Sequence, residues 1–248
     1  MTFTISRRSL MGGVAVLPFA SYLANAEANE PIRIGVLAPL TGGGGPYGAD
    51  IVKASKLAAD EVNAAGGVLG GRKIELFVED DETSATAAVK AARKLLDIDK
   101  VIAITAVWGS APILAVRPLT LEKNVLLTAL GSADEVTEGD TKGRVWRFQA
   151  RASSWGAPAA RAILNGGYKK VGLLHLQNPF VASMIPSFLK TIEEGGAKLV
   201  SDVEFKPDQP SYRAEIEKLY ASNSHFSGLL AGCDRLTRGS AIFLAPVA

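Results

Sequence analysis

From Ile32 onward, short apolar runs rich in β-branched residues alternate with longer segments whose apolar residues recur every three or four positions. That alternation restricts the fold more than any other feature. Ile32–Leu37, bounded by Pro31 and Pro39, reads as a buried strand. Thr41–Gly48, with four successive glycines from Gly42 to Gly45 and then Pro46-Tyr47, reads as a loop. Ile51, Ala54, Ala58, Val62 and Ala65 share one helical face, and Gly66-Gly67 ends it. A strand from Lys73 to Glu79 follows, then a helix carrying Ala88, Val89, Ala92, Leu95 and Leu96. Val101–Ile104 reads as a third strand and Val125–Leu127 as a fourth. Between them a helix runs from Ala111 to Lys123, with a kink expected at Pro118.

Joints this short require parallel strands joined by right-handed crossovers. The product is an open α/β sheet with helices on both faces. Val145–Ala150 reads as a strand running into a crossing segment. A second unit follows: helix Ser154–Asn165, strand Lys170–Leu176, then a helix bearing Ile185, Phe188, Leu189 and Ile192 that stops at Gly195-Gly196. Strand Lys198–Phe205, a helix with Tyr212, Ile216, Leu219 and Tyr220, and strand Phe226–Ala231 complete it. The expected fold is two α/β lobes, each a doubly wound parallel sheet, the first over 27–148 and the second over 149–248, where it is incomplete.

Residues 1–26 are set apart from this fold. They hold Arg7 and Arg8 with no acid, then an apolar stretch over 14–23, then Ala24-Asn25-Ala26. That is the layout of a secretory signal peptide cleaved after Ala26. Its apolar stretch is shorter than the roughly 20 residues a membrane span needs. Ser6-Arg7-Arg8-Ser9-Leu10-Met11 resembles the twin-arginine export motif, with an ordinary Sec signal as the alternative. Removing the two arginines leaves 25 acids balanced by as many bases, with no basic run of the kind a nucleic-acid face needs.

In an open α/β sheet, ligands gather at the carboxyl ends of strands, where helix N-termini offer unpaired N–H groups to an anion. Three loops fit: Gly42–Tyr47, Thr105–Ser110 and Thr128–Ser132. For Ser110 and Ser132 two readings stand, as caps of the following helices, the commoner role, or as donors to a ligand. The glycine run has no P-loop pattern, and Pro46-Tyr47 interrupts a dinucleotide fingerprint, which leaves a flexible loop. Glu79-Asp80-Asp81-Glu82 reads as a solvated cluster or as a cap of the helix beginning near Ser84. His175, inside an apolar strand, reads as structural. The one cysteine, Cys233, excludes an intrachain disulfide. No G-x-S-x-G elbow is present, and with two histidines and one cysteine the expectation is no catalytic residue, no metal and no cofactor.

Several runs resemble a known family. Ile32–Leu40 followed by Thr41-Gly42 and Tyr47-Gly48 is one; Asn63–Ile74 is a second; Val78-Glu79-Asp80-Asp81 is a third. Together they are similar to the leucine/isoleucine/valine-binding type of periplasmic solute-binding protein of ABC transporters. The resemblance implies a two-lobe clamp that closes on a branched-chain amino acid, an amide or a small carboxylic acid and delivers it to an ABC permease of the inner membrane. It also implies a periplasmic location and no catalysis. By the same resemblance Tyr47 matches the aromatic after the first strand, and Trp108-Gly109-Ser110 the loop that holds a ligand carboxylate. Leu130-Gly131-Ser132 matches the next loop, where the Leu130 backbone and the Ser132 hydroxyl hold carboxylate and amino group. Phe180 keeps the ring of the second lobe's Tyr-Gly but not its phenol. Members of the family are longer, and the tail from about Cys233 departs from their pattern, so the resemblance implies a C-terminal truncation.

Overall fold

A computed structural model describes residues 30–207 and 209–221, together with the backbone of 229–230. The leader and Cys233 lie outside the described residues. Five strands, β1 (Ile32–Ala38), β2 (Ile74–Asp80), β3 (Ala103–Trp108), β4 (Leu126–Leu130) and β5 (Val145–Arg147), form one parallel sheet in the order β2-β1-β3-β4-β5. Three helices cross it: α1 (Gly45–Ala64), α2 (Ala85–Asp97) and α3 (Ser110–Glu122). The second sheet holds β6 (Lys170–Leu176), β7 (Lys198–Phe205) and β8 (Leu229–Leu230), again parallel, in the order β7-β6-β8. Its helices are α4 (Ser153–Asn165), α5 (Pro179–Glu194) and α6 (Arg213–Ala221).

Both sheets have helices on both faces. In the first lobe Leu37, Ile104, Val107 and Leu127 pack beneath Leu95 of α2 and Ile113 of α3 in one core. Val36, Ala38 and Ala106 pack under Ile51 and Val52 of α1 on the opposite face. In the second lobe Val171 and Leu173 meet Ile163, Phe188 and Ile192, while Leu174, Val203 and Phe205 meet Leu219 of α6. Parallel sheets need both faces covered, and α1 leaves part of its face open. Trp146, paired in register with Thr128, is 56% exposed on edge strand β5, and Phe148 just beyond it is 69% exposed.

Several expected boundaries move. Helix α1 starts at Gly45 rather than at the end of a loop, because Pro46 sits in its first turn, where its missing N–H costs nothing. Tyr47 is therefore helical. Strand β3 starts at Ala103 and runs on through Trp108. Val101 and Ile102 precede it, tied by backbone bonds to Leu95 and Arg33. The expected loop Thr105–Ser110 thus shrinks to Gly109, at φ +87°. Strand β4 likewise continues through Leu130, so the loop after it starts at Gly131. Helix α3 runs through Pro118 as one element. The expected strand Phe226–Ala231 is described only at Leu229–Leu230. His175 is buried in β6 with its Nε2 3.1 Å from Asp202 Oδ1, consistent with a structural role.

Candidate functional site

Helices following parallel strands start at the strands' carboxyl ends, so α1, α3 and α5 all begin at one end of their sheets. Seven of the eight candidate residues gather there in the first lobe. Trp108 closes β3, and its ring stacks on Tyr47 from the first turn of α1, with centroids 5.1 Å apart and planes inclined 27°. A Cβ on Gly44 would stand 2.8 Å from the Trp108 ring, so only glycine lets the loop lie against it. Gly109 donates its N–H to the Leu130 carbonyl at 3.2 Å, joining the ends of β3 and β4. Gly131 passes so close to α3 that a Cβ would collide with Ile113 Cδ1 and stand 3.3 Å from the Ser110 nitrogen.

Neither serine caps a helix. The residue before α3 is Gly109, with no side-chain cap, and the short 3-10 turn Asp134–Val136 follows Ala133, also uncapped. Instead the buried Ser110 hydroxyl accepts the Ala133 N–H at 3.1 Å, leaving its own proton free to donate. Ser132, also buried, donates to Gln149 Oε1 at 3.1 Å, and its carbonyl accepts the Ala152 N–H at 2.6 Å. The first turn of α3 supplies further donors: Ser110 and Ala111 N–H have no acceptor within the helix, and Pro112 has none to place. A dipole's positive end and a hydroxyl proton converge there, which suits an anion.

Phe180 stands apart, in the first turn of α5. Its ring meets Trp155 of α4 edge to face, with centroids 5.7 Å apart and planes at 90°. The two groups of residues are bridged by Ser183 of α5, whose hydroxyl accepts the Asp134 N–H at 3.1 Å and donates to Glu135 Oε2 at 2.9 Å. Asp134 in turn accepts Ser153 N–H at 3.2 Å and Arg151 Nη2 at 3.1 Å. Burial would raise its pKa, but those bonds and the Arg151 charge hold it below the ordinary value. Trp155, Ser183 and Asp134 escaped the sequence reading. An aromatic in the first turn of the helix after the crossing segment was the available signal for Trp155.

The acidic run at the end of β2 is neither a solvated cluster nor the helix cap. Asp80 accepts Leu40 N–H at 2.9 Å, Thr41 N–H at 3.2 Å, the Thr41 hydroxyl at 2.7 Å and Glu82 N–H at 2.8 Å. Glu79 pairs with Lys94, and Ser84 itself caps α2. Glu82 and Thr83 both take left-handed backbone, at φ +52° and +56°, which is strained for residues with a side chain. Thr83 Oγ1 accepts Gly44 N–H at 2.9 Å and donates to the Thr41 carbonyl at 3.0 Å. Gly42, at φ +77°, lies where a Cβ would collide with the Glu82 carbonyl. The glycine run is therefore a pinned loop rather than a flexible one.

Asp81 beneath it is wholly buried, with Oδ1 accepting Thr83 N–H at 2.7 Å and Oδ2 without a partner. Burial, opposed by the Thr83 bond and reinforced by the Asp80 charge, pushes its pKa up to about 6. An acid raised in the folded state stabilises most below its unfolded value, and that contribution is lost as pH rises through the folded one. Asp81→Asn keeps the Thr83 acceptor and removes the charge. It is expected to stabilise the fold by about 1–2 kcal/mol near pH 7.5 and by almost nothing near pH 4. Urea unfolding at the two pH values reads the difference, and equal effects at both would refute the ionisation account.

Among the described residues no group of three or more His, Cys, Asp or Glu is placed to hold a metal ion. No described helix is long and apolar enough to cross a membrane. An open depression of about 430 Å³ lined by Lys100, Ile102, Lys123 and Asn124 lies at the amino ends of β3 and β4. It is at the opposite end of the sheet from the aromatic pairs and the helix N-terminus, and its Lys123 is already paired with Asp97. The chemistry points to the carboxyl ends.

The structure is thus two parallel α/β lobes joined through the Ser183 contacts to Asp134 and Glu135. The sequence profile of the family described as periplasmic binding protein matches residues 31–234. The chain belongs to that family and has its type I fold. It is 27% identical over 231 residues to an amino acid binding protein of Pseudomonas aeruginosa, covering 91% of this chain and 61% of the relative. It is 29% identical over 229 residues to the Leu/Ile/Val-binding protein BraC3 of Rhizobium johnstonii, covering 88% and 60%. Among solved structures it is similar to the leucine binding protein LivK of Thermotoga maritima, at a TM-score of 0.70 and 25% identity over 81% of this chain and 55% of that one. The chain thus spans about three-fifths of the length of the curated relatives it matches.

Proposed function

We propose that this chain is the extracytoplasmic solute-binding component of an ABC importer. In this reading it works in the periplasm after its leader is cleaved near Ala26. It takes a branched-chain amino acid, a related amide or a small carboxylic acid between its lobes and passes it to a membrane permease. The observation that carries the reading is the donor cluster at the start of α3: Ser110 and Ala111 N–H with the free Ser110 hydroxyl proton. In this reading Tyr47, Trp108, Gly109, Leu130, Gly131 and Ser132, at the same end of the first sheet, line the site, and Phe180, in the first turn of α5, contributes from the second lobe. The named amino-acid-binding relatives support the ligand class. Closure strengthens each such bond by excluding water.

Calorimetry with leucine, isoleucine, valine, their amides and simple carboxylates tests the reading. At least one should bind saturably, and Ser110→Ala should weaken it about tenfold by removing one hydrogen bond to a charged group. If no carboxylate or amide in that set binds, the reading is wrong.

A further inference from the structure

We propose that Asp81 is a proton-operated catch beneath the Gly42–Gly44 loop: taking up a proton holds the loop against Trp108, and losing it lets the loop open. The device stands whatever the chain binds, so it goes beyond the solute-binding reading and does not rest on it. Asp81 lies wholly buried just past the end of β2. Its backbone is fixed on two sides, the N–H donating to the Ala38 carbonyl at 3.1 Å and the carbonyl accepting the Ser84 N–H at 2.8 Å. Its carboxyl accepts one bond, from the Thr83 N–H to Oδ1 at 2.7 Å, and Oδ2 has no partner. A buried carboxylate so poorly solvated is relieved in one of two ways: a proton enters from water at Oδ2, or the cover opens and water enters instead.

A short relay joins this carboxyl to the aromatic stack. Thr83, in the left-handed backbone that the Asp81 bond holds, accepts the Gly44 N–H on Oγ1 at 2.9 Å and donates to the Thr41 carbonyl at 3.0 Å. Gly44 lies against the Trp108 ring, which stacks on Tyr47. The charge that bears on Asp81 is that of Asp80, and it opposes ionisation. Glu79 is paired with Lys94, and Glu82 is exposed. The facing segment Pro39–Pro46 and the first turn of α2 carry no charged residue. Nothing in these elements therefore compensates a negative Asp81 while the loop is shut.

The shut loop keeps the Asp81 pKa at about 6, and hydration on opening returns it towards the ordinary 3.8. The shut state thus binds the proton more tightly, and its advantage is lost as pH rises through about 6. Hydrogen exchange at the Gly44 and Thr83 amides of the full chain, corrected for the intrinsic pH dependence, tests this. The opening equilibrium should rise about twentyfold between pH 4.5 and 7.5 and be insensitive to dilute urea, as a local opening is. Asp81→Asn, neutral throughout, should abolish the rise. Thr83→Ala cuts the relay and should leave Gly44 poorly protected at both pH values. The near-ultraviolet signal of the Tyr47–Trp108 stack should follow the same titration in the wild type. An opening equilibrium that does not change with pH would overturn the proposal. So would a rise that persists in Asp81→Asn, or Gly44 exchange that tracks global unfolding in urea.

Discussion

Valine at position 156 is expected to prevent the second lobe from folding while the first lobe still folds. Gly156 lies in α4 where it crosses α5. A single Cβ there would collide with the Met184 carbonyl and the Ser187 hydroxyl, and would stand 2.7 Å from the Phe188 nitrogen. Two of those three are backbone atoms and cannot swing aside. Even alanine must push the helices apart, opening the core in which Phe188, Ile163 and Ile192 are packed. Helix propensity favours alanine over glycine by about 1 kcal/mol, but overpacking and the resulting voids cost about 3 kcal/mol or more, so sterics win. Gly156→Ala should therefore lose about 2 kcal/mol, and valine, with a branched side chain, considerably more. The lobes have separate cores, so hydrogen exchange should show protection lost over 153–205 and kept over 32–130. Protection retained in both lobes would show that the helices can separate without penalty.

Asp80→Ala should be the most damaging single change to the loops at the carboxyl end of the first sheet. It removes the acceptor for three backbone N–H groups and one hydroxyl at once. Water can replace part of that, so the expected loss is about 2–4 kcal/mol. The strained Glu82–Thr83 turn would lose a clamp, and with it the Gly42–Gly44 loop that lies against Trp108. Ligand affinity should fall together with the near-ultraviolet signal of the Tyr47–Trp108 stack. Asp80→Asn keeps one oxygen for the N–H groups and should lose about half as much. A stable Asp80→Ala protein with unaltered aromatic ellipticity would contradict the account. Burial tends to raise the Asp80 pKa, but its hydrogen bonds hold it below the ordinary value. Its stabilisation is thus present at neutral pH and lost as pH falls through that lowered value, the opposite sense to Asp81. Stability should accordingly peak on the mildly acidic side of neutrality.

Much of the fold was legible because strand and helix periods are written in the apolar residues. Lys170–Leu176 and Lys198–Phe205 coincide with β6 and β7. The bounds of β3 and β4 were harder. Val101-Ile102 looked like strand because both are apolar, but Val101 is buried in a connecting segment, and burial does not require a ladder. Thr105 and Thr128 looked like loop because they are polar. Their hydroxyls satisfy each other at 2.6 Å across β3 and β4, so both remain in strands. The same limit hid the site's wiring. Position alone put Ser110 and Ser132 at the carboxyl ends of β3 and β4, but their partners, Ala133 and Gln149, are 23 and 17 residues away in the chain. Asp80 was visible as an acid but not as an anchor, because three of its four donors come from Leu40 and Thr41 in another loop.

The chain's three tryptophans fall in three different settings. Trp108 is stacked on a phenol, Trp155 meets a phenyl ring edge to face, and Trp146 lies largely in water on an edge strand, its Nε1 donating to the Gly143 carbonyl at 3.0 Å. Their emission should therefore separate without labelling. Trp146 supplies a red-shifted component open to collisional quenching, steady as long as β5 stays paired. Trp108 and Trp155 supply components that shift when either rim is disturbed. Each lobe thus carries its own intrinsic reporter, with a built-in reference at the sheet edge.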